Sequence, residues 1–196
     1  MSIEEVLDAY SRGFFPMASG KNGDIDFYFY EPRGIIPLDS RFTVRKSLRQ
    51  IINRKQHTIR FDTAFEEVIR SCARHDLPRH EIWLSNEMID LYIQLNKLRI
   101  AHSVEVWSND DDPKLLGGLY GLALGAAFLG ESMFSNTPNA SQIALVALVE
   151  HLRSKNFTLL DAQMSSDHLK QFGLLEISQF EYLKLLQPAL SGSSEF

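Results

Sequence analysis

Cysteine is almost missing from this chain. Cys72 is the one cysteine in 196 residues, so no intramolecular disulfide can form and no thiolate metal site is expected. No apolar run approaches the roughly 20 residues that span a bilayer, the longest candidate being interrupted by Gly121 and Gly125. The start, Met1-Ser2-Ile3-Glu4-Glu5, lacks the basic and apolar stretches of a signal peptide. These features predict a reduced, cytoplasmic protein. Phosphate loops are scarce too. Gly117-Gly118-Leu119-Tyr120-Gly121 lacks a Lys-Ser/Thr ending and does not fit G-x-G-x-x-G. Glycines in such a strand more often permit close backbone approach.

Hydrophobic residues make up 44% of the chain and charged residues 23%, which predicts a packed core. The net charge of -5 argues against nucleic acid, but its distribution argues for it. Arg41, Arg45, Lys46, Arg49, Arg54, Lys55 and Arg60 fall within residues 41–60, where no Asp or Glu occurs. Seven of the 20 basic residues lie there, leaving 13 elsewhere against 25 acidic ones, so the segment carries +7 and the remainder -12. Such segregation makes a local field that attracts phosphate, although a solvated helix face would have the same composition.

Ser2 and Glu5 form a capping-box pattern for a helix over 2–12, ended by Gly13 and Pro16. Residues 26–30 read as a strand, 31–34 as a turn, and 35–36 as a second short strand. A helix over 43–54 carries most of the basic cluster, followed by a strand at 57–61. A helix capped by Thr63 and Glu66 runs to about Arg74, then a polar loop and a helix at 85–98. Strands at 101–108, 115–124 and 126–133 precede a helix at 139–154 with Asn139 as its cap. A strand at 157–163, a short helix, a strand at 174–177 and a helix capped by Ser178 and Glu181 complete an α+β order. The tail 191–196 is linker-like and is expected to be flexible.

Acids on apolar strands are the most informative side chains. Glu131 follows Ala126-Ala127-Phe128-Leu129-Gly130, and Asp161 follows Leu159-Leu160. Each requires a cation or hydrogen-bond donors to meet it. Gln163, two residues after Asp161, shares its strand face. Such a set could hold an amine and polarise an ester, or could be no more than sheet-edge caps. Gly130-Glu131-Ser132 begins like a nucleophile elbow, but Phe134 fills the place where the turn needs a small residue, so a Ser132–His168–Asp161 hydrolase is a weak reading. His102 and Glu105, at odd spacing, point to opposite faces of a strand and read as structural.

Gly130-Glu131-Ser132-Met133-Phe134-Ser135, followed by Asn139-Ala140-Ser141 and Ala144-Leu145, resembles the signature of the bacterial leucyl/phenylalanyl-tRNA–protein transferases. So do Ala101-His102-Ser103-Val104-Glu105-Val106-Trp107, the Gly117–Gly121 run, Asp161-Ala162-Gln163 with His168-Leu169, and Ala9-Tyr10-Ser11-Arg12-Gly13-Phe14-Phe15-Pro16. Order and spacing hold from about residue 6 to 185. The chain departs from the pattern in lacking a further upstream segment, in Met17 where an aromatic is usual, and in Ala162 where a cysteine is usual.

The resemblance implies a GNAT-like acyltransferase core over 81–190 behind a small mixed region over 1–80. It implies transfer of Leu, Phe or Met from the 3′ acceptor end of an aminoacyl-tRNA to proteins beginning with Arg or Lys, marking them for degradation. No ATP, CoA or metal would be needed, because the ester is already activated. Glu131 would hold an amine, and Gln163, oriented by Asp161, would act at the ester. Leu119, Leu145, Leu148, Leu152 and Leu160 would form the pocket for the transferred side chain, each with ordinary core as its plain alternative. Tyr10, Trp83 and Tyr92 match positions near the terminal adenosine, and Met17 lies where the family has a pocket aromatic. Arg45, Lys46, Arg49, Arg54 and Lys55 would receive tRNA phosphates. The competing readings are a related transferase of different donor or acceptor specificity, a GNAT-fold enzyme using acyl-CoA, and a non-catalytic RNA-binding module. The acyl-CoA reading lacks its pyrophosphate loop, and the RNA-binding reading leaves Glu131, Asp161 and Gln163 unexplained.

Overall fold

The computed structural model describes residues 1–73 and 82–196. The expected helix end at Arg74, the polar loop and the boundary between 80 and 81 lie outside the described residues. Two sheets form. A hairpin joins β1 (Phe15–Ala18) and β2 (Ile25–Tyr28). The main sheet contains β3 (Arg33–Ile36), β4 (His57–Phe61), β5 (Ala101–Ser108), β6 (Leu115–Leu124), β7 (Ala127–Ser135), β8 (Leu159–Gln163) and β9 (Leu175–Ile177). Its order is β4-β5-β6-β7-β8-β3-β9, and β7 with β8 is the parallel pair in an otherwise antiparallel sheet. Strands β3 and β4, both early in sequence, thus sit in the same sheet as the later ones.

Alternation along the strands feeds two cores. Tyr120, Ala127, Leu129 and Leu159 face one side, with Val6 and Tyr10 of α1 (Ile3–Ser11), Val68 of α3 (Phe65–Ala73), Met88 and Tyr92 of α4 (Asn86–Lys97) and Tyr182 of α7 (Gln179–Leu190). Leu119, Phe128 and Leu160 face the other, with Leu48 of α2 (Lys46–Asn53) and Ile143, Leu145 and Leu148 of α5 (Ala140–Ser154). A period of two on β6, β7 and β8 therefore divides the sheet between two helical layers, a mixed α/β arrangement. A short α6 (Asp167–Lys170) leads from β8 toward β9. Among the described residues no helix is long and apolar enough to cross a membrane.

Local signals act much as the sequence predicts, with instructive exceptions. Capping boxes close at Ser2–Glu5 and Ser178–Glu181. The start of α3 is bound by Glu105 instead of a Thr63–Glu66 box, its carboxylate accepting from the N–H groups of Thr63 (2.9 Å) and Ala64 (2.8 Å). Glu66 instead pairs with Arg70. Asn139 precedes α5 in a left-handed conformation without a side-chain cap bond. The glycine run fits the strand reading: a Cβ on Gly117 would lie 2.6 Å from Ala140 Cβ, and one on Gly118 would lie 2.7 Å from the Val104 carbonyl oxygen. The last residue of the tail makes contacts of its own. The Phe196 ring packs on His102 (4.3 Å between centroids), His151 (4.6 Å) and Phe128 (5.3 Å), because an aromatic ring gains more against an apolar edge than in water.

Candidate active site

Glu131 sits on a break in strand pairing. Gly130 pairs with Gly121 and Ser132 with Tyr120, so Glu131 is the extra residue of a bulge. A bulge re-aims the side chain it carries. Glu131 Oε1 accepts from the Tyr10 hydroxyl (2.7 Å) and Gln163 Nε2 (3.1 Å), and its Oε2 accepts from the Tyr92 hydroxyl (3.0 Å). The two tyrosine oxygens are 2.5 Å apart. Burial pushes the Glu131 carboxyl up to about 8, against the opposing pull of the two hydroxyls, while the Asp161 charge raises it and Arg33 lowers it. Burial and the charge of Glu131 push both tyrosines well above their usual range, so they remain donors.

Asp161 is met by a full cation. Arg33 Nε donates to Oδ1 at 2.9 Å and Nη2 to Oδ2 at 2.5 Å, a bidentate pair with both side chains 1% exposed. Tyr182 donates to Oδ2 at 2.8 Å and the Gln163 N–H to Oδ1 at 2.8 Å. Arg33 also donates to the Gly13 carbonyl (3.1 Å) and lies between the rings of Phe15 and Tyr182, at 4.9 and 4.5 Å from their centroids. Burial alone would lower the guanidinium pKa, but Asp161 outweighs it and the net shift is upward. Four donors occupy the Asp161 carboxylate, which leaves no lone pair over for a proton in transit.

The same bond fixes Gln163. Its φ of 57° lies in the left-handed region that favours glycine, and the Asp161 carboxylate holds its N–H there. That turn carries the Gln163 amide back to Glu131.

Beyond Ala127–Leu129, which pair with Leu159–Asp161, strands β7 and β8 part. A cavity of about 280 Å3 opens there. Of the predicted pocket residues, Leu119, Leu145 and Leu160 line it, as do Glu131 and Asp161. Leu148 and Leu152 do not; they are 1% and 0% exposed, further along the same face of α5 as Leu145 and in the core beyond the cavity. Gln163 meets the cavity through Glu131 and is not itself a wall. Tyr10 and Tyr92 are 1% and 0% exposed, so their rings offer no face for base stacking; their hydroxyls bind Glu131. Met17 and Trp83 are half-buried neighbours, joined where the Ala18 N–H donates to the Trp83 carbonyl at 2.7 Å, and pack outside the cavity.

No hydrolase triad forms. Asp161 is committed to Arg33, and the buried His168 Nε2 has no hydrogen-bond partner among the described residues. His102 is buried, bonds Asp62 and the Arg99 carbonyl, and does not line the cavity. Sequence reasoning missed Arg33 and Tyr182 as neighbours of the site. A signal existed for the first: a buried acid demands a cation. His168 lines the cavity mouth, its pKa lowered by burial and then by the nearby charge of Arg45.

That proximity ties the basic segment to the cavity. Arg45 donates from Nη2 to Asn139 Oδ1 (2.6 Å) and Gln142 Oε1 (3.0 Å), fastening the start of α2 to the start of α5. Lys46, Arg49, Arg54 and Lys55 are exposed and have no carboxylate partner among the described residues. Arg41 is neutralised by Asp39, and Arg60 lies over Trp107.

A family model described as leucyl/phenylalanyl-tRNA protein transferase matches residues 35–187, and the model of its N-terminal domain matches 1–33. The chain belongs to this family. Proteins named leucyl/phenylalanyl-tRNA–protein transferase are similar to it over nearly their whole length. That of Akkermansia muciniphila is 48% identical over 97% of this chain and 96% of the relative. That of Herpetosiphon aurantiacus is 46% identical over 100% and 98%, and that of Chlorobaculum parvum 44% over 97% and 96%. Among solved structures, L-PGS from Bacillus licheniformis aligns with a TM-score of 0.49 at 14% identity, over 96% of this chain and 70% of that one, which bears on neither chemistry nor family. In this family, then, the Asp-x-Gln of β8 rests on an arginine from β3 in at least this member.

Proposed function

We propose that this chain performs its family's reaction at the cavity below Glu131. A Leu or Phe residue, with Met also accepted, passes from the 3′ end of an aminoacyl-tRNA to the amino terminus of a protein beginning with Arg or Lys, marking that protein for degradation. Family membership makes the chain an aminoacyl-tRNA-dependent transferase. The observation that carries the placement is Glu131, a carboxyl with a pKa of about 8, over an apolar cavity and in contact with a positioned amide.

The chemistry balances without a further reactant. The acceptor amine attacks the ester carbonyl carbon, a C–N bond forms, the C–O bond to ribose breaks, and the ribose oxygen leaves with the proton lost by the amine. Glu131 sheds its proton when the acceptor ammonium group arrives, holds that group, and then takes one proton back from it, which leaves the neutral amine that attacks. Gln163 donates to Glu131 through Nε2, which leaves its carbonyl oxygen to accept from the attacking amine. Asp161 acts through Gln163 as a positioning residue. Leu119, Leu145 and Leu160 supply apolar walls for the transferred side chain, and burying an unpaired charge there would cost several kcal/mol. Arg45, Lys46, Arg49, Arg54 and Lys55 face tRNA phosphates, with Trp83 available to the terminal adenosine beside Met17. A GNAT-like core is supported by the antiparallel β5–β7 run, the bulge on β7 and its parting from parallel β8. We assign the reaction to the cytoplasm, where charged tRNA is made.

The test is a transfer assay with purified protein, charged tRNAs of several identities, and peptides beginning with Arg, Lys, Asp or Glu. Transfer from Leu-tRNA and Phe-tRNA to Arg and Lys peptides is expected in EDTA without ATP or CoA. Strict dependence on acetyl-CoA would move the chain to the acyl-CoA reading.

A further inference from the structure

Residues 26–32 are exposed without a break, an unusual state for a segment that includes a strand. Four of them are consecutive aromatics: Phe27 (40% exposed), Tyr28 (44%), Phe29 (51%) and Tyr30 (45%). Strand alternation should bury every second one, yet both faces of β2 and its continuation meet water. Among the described residues β2 pairs with β1 alone, so its outer edge presents backbone groups without a strand partner there. A contiguous apolar patch on a free strand edge marks an interaction surface.

We propose that this aromatic ribbon docks the acceptor polypeptide, an extended chain with neutral or basic side chains laid along β2 behind its reacting amino terminus. The inference rests on the transfer reaction proposed above. Charge identifies the occupant. Between residues 22 and 32 the chain carries Asp24, Asp26 and Glu31 and no Lys or Arg. Asp24 and Asp26 have no cationic partner among the described residues. Acids beside aromatic faces attract Lys and Arg side chains and repel phosphate, which separates this surface from the basic face of α2.

Continuity with the site sets the direction. The Phe29 ring packs edge-on against Phe14 at 5.8 Å, next to Gly13, whose carbonyl binds Arg33. The ribbon runs through Glu31 into Arg33, which holds Asp161, and Gly34 pairs with Gln163. Two further exposed apolar residues flank this junction. Met164 (42%) follows Gln163, and Phe180 (68%) follows Gln179, whose N–H donates to Glu31. From Tyr28 to Arg33 is five residues, at most roughly 17 Å at about 3.3 Å each, and less because the chain bends at 31–32. An acceptor dipeptide at Glu131 would not reach β2, and one of about ten residues would.

The experiment compares an Arg-initiated dipeptide with a ten-residue acceptor having the same first two residues, in wild type, F27S/Y28S and D26K. Wild type is expected to show a lower KM for the ten-residue acceptor. F27S/Y28S should raise that KM about tenfold, a loss of roughly 1.4 kcal/mol, and leave kcat, the dipeptide KM and the aminoacyl-tRNA KM unchanged. D26K, which removes no apolar surface, should raise the KM most for a ten-residue acceptor carrying downstream lysines. Wild-type transfer to the dipeptide reports the reaction by itself. Equal wild-type KM values for the two lengths therefore overturn the docking proposal alone. A raised aminoacyl-tRNA KM in F27S/Y28S would make the ribbon an RNA contact. A mass change in wild type that the variant abolishes, with acceptor KM unmoved, would make it a self-association face. Either outcome overturns the proposal.

Discussion

Asp161 holds Gln163 by its main chain: the Gln163 N–H donates to Asp161 Oδ1 at 2.8 Å while both carboxylate oxygens also bind Arg33. Asp161→Asn removes half of a buried ion pair and leaves the guanidinium uncompensated, which typically costs about 3–5 kcal/mol. A large fall in melting temperature is expected along with loss of transfer. A variant that melts with wild type would show that the pair contributes nothing to the fold.

Gln163→Gly separates position from stability. Glycine adopts a φ of 57° freely, so the variant should melt at or above the wild-type temperature. Loss of the amide should lower the single-turnover rate about 10²-fold. Wild-type turnover at saturating aminoacyl-tRNA would remove Gln163 from the chemistry.

Glu131 makes stability depend on pH in a defined direction. Its carboxyl titrates near 8 in the folded chain against 4.5 ordinarily. Between those values the unfolded chain has lost this proton and the folded chain keeps it, so the contribution is full below 4.5 and is lost as pH rises to about 8. Glu131→Gln cannot titrate. Relative to wild type it should therefore gain melting temperature from pH 5 to pH 8, and an unchanged difference would contradict the raised pKa. Its transfer defect should lie mainly in the KM of the acceptor.

The exposed face of α2 is tested by salt. Changing Lys46, Arg49, Arg54 and Lys55 to Ala should weaken tRNA binding and lower the log–log salt slope by roughly 0.7–0.9 for each phosphate left without its cation. The fold should survive because these side chains are exposed; Arg45 is kept, since it also fastens α2 to α5. Unchanged affinity at low salt would make the cluster a solvated face.

Donor size is read at the cavity. Leu145→Phe adds volume to a wall of a space of about 280 Å3. Overpacking of this kind costs about 1–3 kcal/mol, so use of Phe-tRNA relative to Leu-tRNA should fall about tenfold or more. An unaltered Phe-to-Leu ratio would place the transferred side chain elsewhere.

Much of this site is legible in one dimension because acids on apolar strands announce themselves. Glu131 and Asp161 each required a partner on that ground, and each has one. The partners' identities were not readable. Arg33 sits in a segment with the sequence of a turn, and only the antiparallel pairing of β3 with β8 brings it to Asp161. The bulge at Glu131 leaves no mark in residue type, since it is a mismatch between two strands and belongs to neither alone. Leu148 and Leu152 show the converse limit. A leucine on an apolar helix face reads the same whether it walls a cavity or fills the layer below it.

The bond between Arg33 and Asp161 spans 128 residues, and it sets a timetable for the protein's birth. Strand β3 has β8 and β9 as its neighbours in the sheet, and both are made long after it. At about 5–20 residues per second, a ribosome needs roughly 6–26 s to extend the chain from Arg33 to Asp161. Throughout that interval the arginine stays hydrated and β3 has no edge to join. A nascent chain carrying β7 but not β8 holds Glu131 without its amide and half the walls of its cavity. Synthesis therefore reaches a competent enzyme in one late step, when the strand bearing Asp161 and Gln163 draws the beginning of the chain into the sheet.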